Sequence, residues 1–189
     1  MHYRKYMITA AVVAALFIVA GCSDDEVTNP ITENPQELIT KVTITLIDDI
    51  SAAESTAVWS DFDGPGGNDP VIGTLELLAG STYSGSIELL DETKSPVEDI
   101  SEEVEEEADE HQFFYTVEGD ATSRMTVEIT DLDSNNFPVG LEFTVSISPG
   151  GAAAGVLNVV LFHYDDVEKD GTSQSTESDI DIDIPVTIQ

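Results

Sequence analysis

Alternation of apolar and polar residues constrains this chain more than any other feature. Between positions 41 and 47, Val42, Ile44 and Leu46 alternate with Thr43 and Thr45. A period of two is the mark of a strand with one buried face. The pattern recurs at 56–60 around Trp59, and at 72–78, 83–89, 112–117, 124–129, 141–147, 156–164 and 180–188. Gly-, Pro-, Asn-, Asp- and Ser-rich clusters at 61–70, 79–81, 131–140, 149–155 and 165–178 break the runs. Roughly nine short strands with frequent turns predict an all-β fold, an antiparallel β-sandwich of the Ig/fibronectin kind.

The 189 residues suit one such domain with a tail. With 38 acidic against 6 basic side chains, the formal net charge is −32. That charge would favour disorder in a chain without pattern, and here the alternation outweighs it. A nucleic-acid partner is excluded on charge grounds: beyond residue 21 the basic residues are Lys41, Lys94, Arg124 and Lys169, too few for a basic stripe. The single Cys allows no internal disulfide, so stability must come from the core.

Two stretches refine the sandwich. Leu77-Leu-Ala-Gly-Ser-Thr-Tyr83 resembles the corner at which fibronectin-type sandwiches cross between sheets, with the Tyr hydroxyl bonded back to the backbone; a plain hairpin turn is the alternative. Positions 95–111 predict one short acidic helix. Ser95 is placed to cap it, Pro96 to occupy its first position, and Glu98 to complete a capping box. Ile100, Val104 and Ala108 give it a narrow apolar stripe. Nine acids crowd into 98–110, and those at its end oppose the helix dipole, which calls for a compensating charge.

The first 21 residues read as a signal peptide: His2, Arg4 and Lys5, then an apolar run from Met7 to Ala20. Val19-Ala20-Gly21-Cys22 resembles the lipobox of bacterial lipoproteins, which implies cleavage before Cys22 and its acylation. The alternative is an ordinary signal peptide with an incidental Cys. Acyl chains at about 0.8 kcal/mol per buried CH₂ would make a stable membrane anchor. Ser23-Asp24-Asp25-Glu26 resembles an acidic surface-export signal, or is a solvated linker. Residues 22–36, with Pro30 and Pro35, read as a tether, and 37–189 as the sandwich domain.

Two constellations offer ligand chemistry. Glu103, Glu107 and His111 recur at helical spacing, and His163 lies at a strand end with Asp165 and Asp166 just beyond. Two imidazoles and two carboxylates suit zinc or another divalent transition metal, against the plainer reading of a solvated acidic face with unrelated histidines. Asp61, Asp63, Asn68 and Asp69 resemble half of a calcium loop; without a Glu at its twelfth position it is no EF-hand, and a Gly/Asp turn between two strands is the plainer reading. Calcium ranks behind a transition metal. No nucleophile elbow, P-loop or dinucleotide fingerprint is present, so no enzyme is expected.

Taken together, the lipobox, Asn34–Ile44, Trp59–Asp69, Tyr83–Leu90 and Glu102–Tyr115 resemble a family of small outer-membrane lipoproteins of Bacteroidetes whose activity is unsettled. Members are sometimes labelled type 1 periplasmic-binding fold, a two-domain architecture of alternating strands and helices that the pattern here does not suit. The resemblance implies an outer-membrane location, lipid-anchored on the periplasmic or cell-surface side, and company with an outer-membrane transporter. The expected function is capture of a divalent metal or metal complex. The alternative is an Ig-like surface module that binds a protein or glycan.

Overall fold

The computed structural model describes residues 37–64, 66–164 and 167–189. The signal peptide, Cys22, the tether, and Asp165 and Asp166 lie outside the described residues. Among the described residues eleven strands form: β1 Lys41–Asp48, β2 Glu54–Ser60, β3 Val71–Ile72, β4 Leu75–Leu77, β5 Thr82–Asp91, β6 Glu98–Asp99, β7 His111–Gly119, β8 Met125–Ile129, β9 Glu142–Ile147, β10 Ala153–His163 and β11 Glu177–Ile188. One sheet runs β3-β2-β1-β5-β9-β8, with β6 also on β5; the other runs β4-β11-β10-β7. The fold is the expected all-β sandwich, with one departure in strand direction: β4 runs parallel to β11.

The alternating apolar residues supply the core. Val42, Ile44 and Leu46 of β1 are fully buried, as are Leu157, Val159 and Leu161 of β10. Ile180, Ile182 and Ile184 line β11 on the same inner side. Gly85 of β5 pairs with both Leu46 and Phe143, and a Cβ there would run into the Phe143 ring and Leu46 Cδ2. Gly85→Val overpacks this point and should cost about 1–3 kcal/mol in urea unfolding. An unchanged midpoint would contradict the packing.

The run at 72–78 is one strand in pattern but two in the fold. β3 pairs with β2 in the first sheet, whereas β4 pairs with β11 in the second. Gly73 makes the switch: its N–H donates to Val58 O at 2.7 Å, and an added Cβ would lie 2.9 Å from the Val58 nitrogen. The next crossing, from β4 to β5, is the corner read at 77–83. Gly80 turns there with φ +83°, and the Tyr83 hydroxyl accepts the Leu78 N–H at 2.8 Å.

The helix needs correction. It spans Ile100–Glu106, capped by Asp99, whose Oδ1 accepts the Ser101 N–H at 3.0 Å. Ser95 is not the cap and Pro96 is not its first residue, because Glu98 and Asp99 stay extended to pair with Asp91 and Leu90. Ile100 and Val104 are buried as their spacing predicts, while Ala108 lies past the helix end. His111 does not close the helix. It opens β7, so the continuous helical face joining Glu103, Glu107 and His111 does not form.

Candidate metal centre

β7 and β10 place His111 directly opposite His163 in register. Both side chains are buried, and their rings stack at 4.4 Å between centroids. Each adjoining carboxylate arrives for a different local reason. Glu37 stands just ahead of β1, where the chain enters the sandwich, and its Oε2 lies 3.7 Å from His111 Nε2. Asp179 comes from a β-bulge in β11: Leu161 faces Ile180 but Phe162 faces Ser178, so the register skips Asp179. A bulge re-aims a side chain. Asp179 is thereby turned away from the outward row of Asp181 and Asp183, its side chain fully buried. Its Oδ2 lies 3.7 Å from His111 Nε2 and its Oδ1 3.9 Å from His163 Nδ1.

The His111 tautomer follows from its other nitrogen. Nδ1 lies 3.2 Å from the Glu107 carbonyl, which can only accept, so Nδ1 carries the proton. When the ring is neutral, Nε2 presents a lone pair to two carboxylates; when it is protonated, Nε2–H faces them, the form that their charge favours. Among the described residues, neither carboxylate has a hydrogen-bond partner within 3.5 Å, nor does Nε2. Separations of 3.7–3.9 Å exceed a hydrogen bond, yet approach the ~3.3 Å between ligand atoms around a tetrahedral zinc. One donor atom from each of Glu37, His111, His163 and Asp179 falls within 4.8 Å of all the others. A backbone carbonyl holding the far nitrogen of a ligating His is also the usual outer-shell arrangement.

No family model, curated protein or solved structure matches this chain.

The electrostatics therefore rest on the site itself. Burial penalises ionised Asp179, and the Glu37 charge adds to it, pushing its pKa up to about 7 against the pull of His111. Burial likewise disfavours ionised Glu37, but contact with His111 outweighs it and holds Glu37 below the ordinary carboxylate range. For His111, burial acts against the charged ring, and the Glu37 contact, the Glu107 carbonyl and the two carboxylate charges overcome it, raising its pKa. Negative charge exceeds what one ring can balance.

Of the residues singled out from sequence, His111 and His163 meet in one group, and Glu103 and Glu107 form a second with Glu37. The helix end decides this: the chain folds back after Glu107, with the Glu110 N–H donating to the Glu107 carbonyl, so His111 enters the interior instead of continuing a helical face. Glu37 and Asp179 were not legible as ligands. In the 61–69 loop, Asp63 Oδ2 accepts both the N–H and the side-chain amide of Asn68, at 3.0 and 2.6 Å. Asp63 thus closes the turn. Asp61 and Asp69 join it in no three-donor group among the described residues.

A cleft of about 490 Å³ beside the helix is lined by Glu105, Asp109, Asp131 and Glu142, but not by either histidine. Asp131 already accepts the N–H groups of Gly140 and Leu141, so its charge is engaged in shaping the loop.

Proposed function

We propose that this chain is a lipid-anchored envelope protein that captures a divalent transition metal between Glu37, His111, His163 and Asp179. The observation that carries the reading is the convergence of Glu37, His111 Nε2 and Asp179, all buried and none hydrogen-bonded among the described residues, beside the stacked His163 ring. Two nitrogens and two oxygens suit zinc, and four protein ligands with side chains 0–4 % exposed make a closed site. A closed site favours retention over catalysis at an open coordination position. Delivery to an outer-membrane transporter would require this end of the sandwich to open.

The anchor is the contribution of the lipobox-like 19–22 segment and Cys22. The acidic surface would concentrate cations and speed their arrival at low ionic strength. A second reading, an Ig-like module docking a protein or glycan, is favoured by Phe62, Val71 and Ile72, which are exposed around the β2–β3 edge.

Calorimetric titration with zinc in ~0.15 M salt, where the Debye length is about 8 Å, separates the two. The expected isotherm saturates at one tight equivalent and disappears with His111→Ala or His163→Ala. No saturable heat, or equal affinity in the double variant, would leave the interaction module standing.

A further inference from the structure

We propose that the Lys169 amine and the Asp133 carboxyl condense to an amide, a covalent cross-link between the β8–β9 and β10–β11 connections and so between the two sheets. Lys169 Nζ lies 2.9 Å from Asp133 Oδ2, with the side chains 2 % and 0 % exposed. Among the described residues no other Lys–carboxylate pair has both side chains buried. The loop is built around Asp133: its N–H donates to the Phe137 carbonyl, its own carbonyl accepts the Asn136 N–H, and Leu132 bridges to Pro138.

The hydrogen bonds of the amide are already in place. Asp133 Oδ1 accepts the N–H groups of Asn135 and Phe137 at 2.8 and 2.9 Å. Lys169 Nζ donates to the Ala108 carbonyl at 2.7 Å. In the product the amide oxygen keeps both N–H donors, and the single remaining N–H keeps Ala108. Oδ2, the oxygen that would be lost, accepts no hydrogen bond among the described residues: Nζ touches it outside hydrogen-bond angles.

The chemistry balances without a further reactant. Burial pulls the Lys169 pKa down, toward the neutral amine that attack requires, against the pull of Asp133, Asp109 and Asp131. Burial also disfavours ionised Asp133, but the Phe137 N–H, the Lys169 contact and the Asn135 N–H outweigh it and hold its pKa low, so the ion pair is the starting state. One proton passes from Nζ to Oδ2. The nitrogen lone pair then attacks Cγ, and a carbonyl electron pair moves onto Oδ1, where two N–H groups sit as in an oxyanion hole. A second proton goes from nitrogen to Oδ2, the Cγ–Oδ2 bond breaks, and water leaves. Ammonium and carboxylate become amide and water. Holding the two groups in contact supplies the effective concentration that condensation needs. The reaction also removes two buried charges whose desolvation is a standing cost. In a chain whose single Cys allows no internal disulfide, the amide is the available staple.

Trypsin reads the bond. Beyond Lys94 the chain can be cut only after Arg124 and Lys169. Full-length protein, purified folded and then denatured and digested, gives peptides 125–169 and 170–189 if unlinked. The cross-linked chain gives 125–189 as one peptide, lighter by one water, because an acylated Lys169 is not cut. Asp133→Asn should give the same product mass, with ammonia leaving in place of water. Lys169→Met should leave 125–189 whole but at full mass. Peptides 125–169 and 170–189 at full mass from the wild-type chain would overturn the bond. Loss of water that persists in Asp133→Ala or Lys169→Met would overturn it as well, by assigning the cross-link to other side chains.

Discussion

Zinc at a thousandfold excess over its dissociation constant should stabilise the protein by about 4 kcal/mol, through binding to the folded state alone. For a domain of this size each kcal/mol moves the midpoint by about 2–4 °C, so melting should rise by roughly 8–16 °C. The ion would join Glu37 at the mouth of β1 to three strands of the opposite sheet, and so tie the two layers together. Asp179→Asn gives the sharpest control. It removes a buried carboxylate that Glu37 and burial already disfavour, so the metal-free variant should melt no lower than wild type. Its zinc-induced shift should nevertheless vanish. A shift that persists in Asp179→Asn and His111→Ala, or that appears only at millimolar metal and equally with magnesium, would mark general screening of an acidic surface.

The second large effect is expected at Lys169. Its ammonium donates to the Ala108 carbonyl at 2.7 Å and pairs with Asp133 at 2.9 Å, with side chains 2 % and 0 % exposed. Burial pulls the Lys169 pKa down, and Asp133 only partly opposes it. Asp133 Oδ1 meanwhile accepts the N–H groups of Asn135 and Phe137. Lys169→Met keeps the apolar stem but removes the donor from a buried carboxylate and from a carbonyl just past the helix end. Breaking one side of such a pair costs about 3–5 kcal/mol. Denaturant unfolding should show that loss, and Lys169→Met/Asp133→Asn should recover part of it. Ala108 lies between Glu107 and His111, so zinc affinity should weaken in step. A loss below about 1 kcal/mol would place the pair among surface ion pairs of little weight.

The sandwich was legible because period-two alternation reports directly on which side chains face the core. Val42, Ile44 and Leu46, and Ile180 through Ile184, sit inward as their spacing requires. The switch of sheets at Gly73 was not: 72–78 is short enough to read as one run, and only the break of alternation at Gly73 and Thr74 hints that β3 and β4 part there. The helix was legible from Ile100 and Val104, but not its length: β-pairing of Glu98 and Asp99 competes with the Ser95 cap, and local sequence does not weigh the two.

The candidate site divides similarly. His111 and His163 draw notice because a residue type found twice after the signal segment stands out. Their adjacency comes from strand register rather than from helical spacing with Glu103 and Glu107. Asp179 was hidden by its own context. In Asp-Ile-Asp-Ile-Asp-Ile every Asp should point outward, and only the bulge beside Phe162 reverses one of them. Glu37 precedes the first alternating run and carries no periodic cue. Both missing ligands are set by tertiary pairing, which a pattern along the chain does not encode.

One metal held between both imidazoles is what would distinguish this site from an acidic surface. Zinc-edge X-ray absorption of protein carrying one equivalent of zinc tests it most directly, because imidazole rings give outer-shell scattering that carboxylates lack. The expected spectrum shows a nitrogen/oxygen first shell of four ligands at about 2.0–2.1 Å, with the signature of two imidazoles. An oxygen-only shell without imidazole scattering would contradict it, and would move the metal from the sandwich interior to the acidic surface.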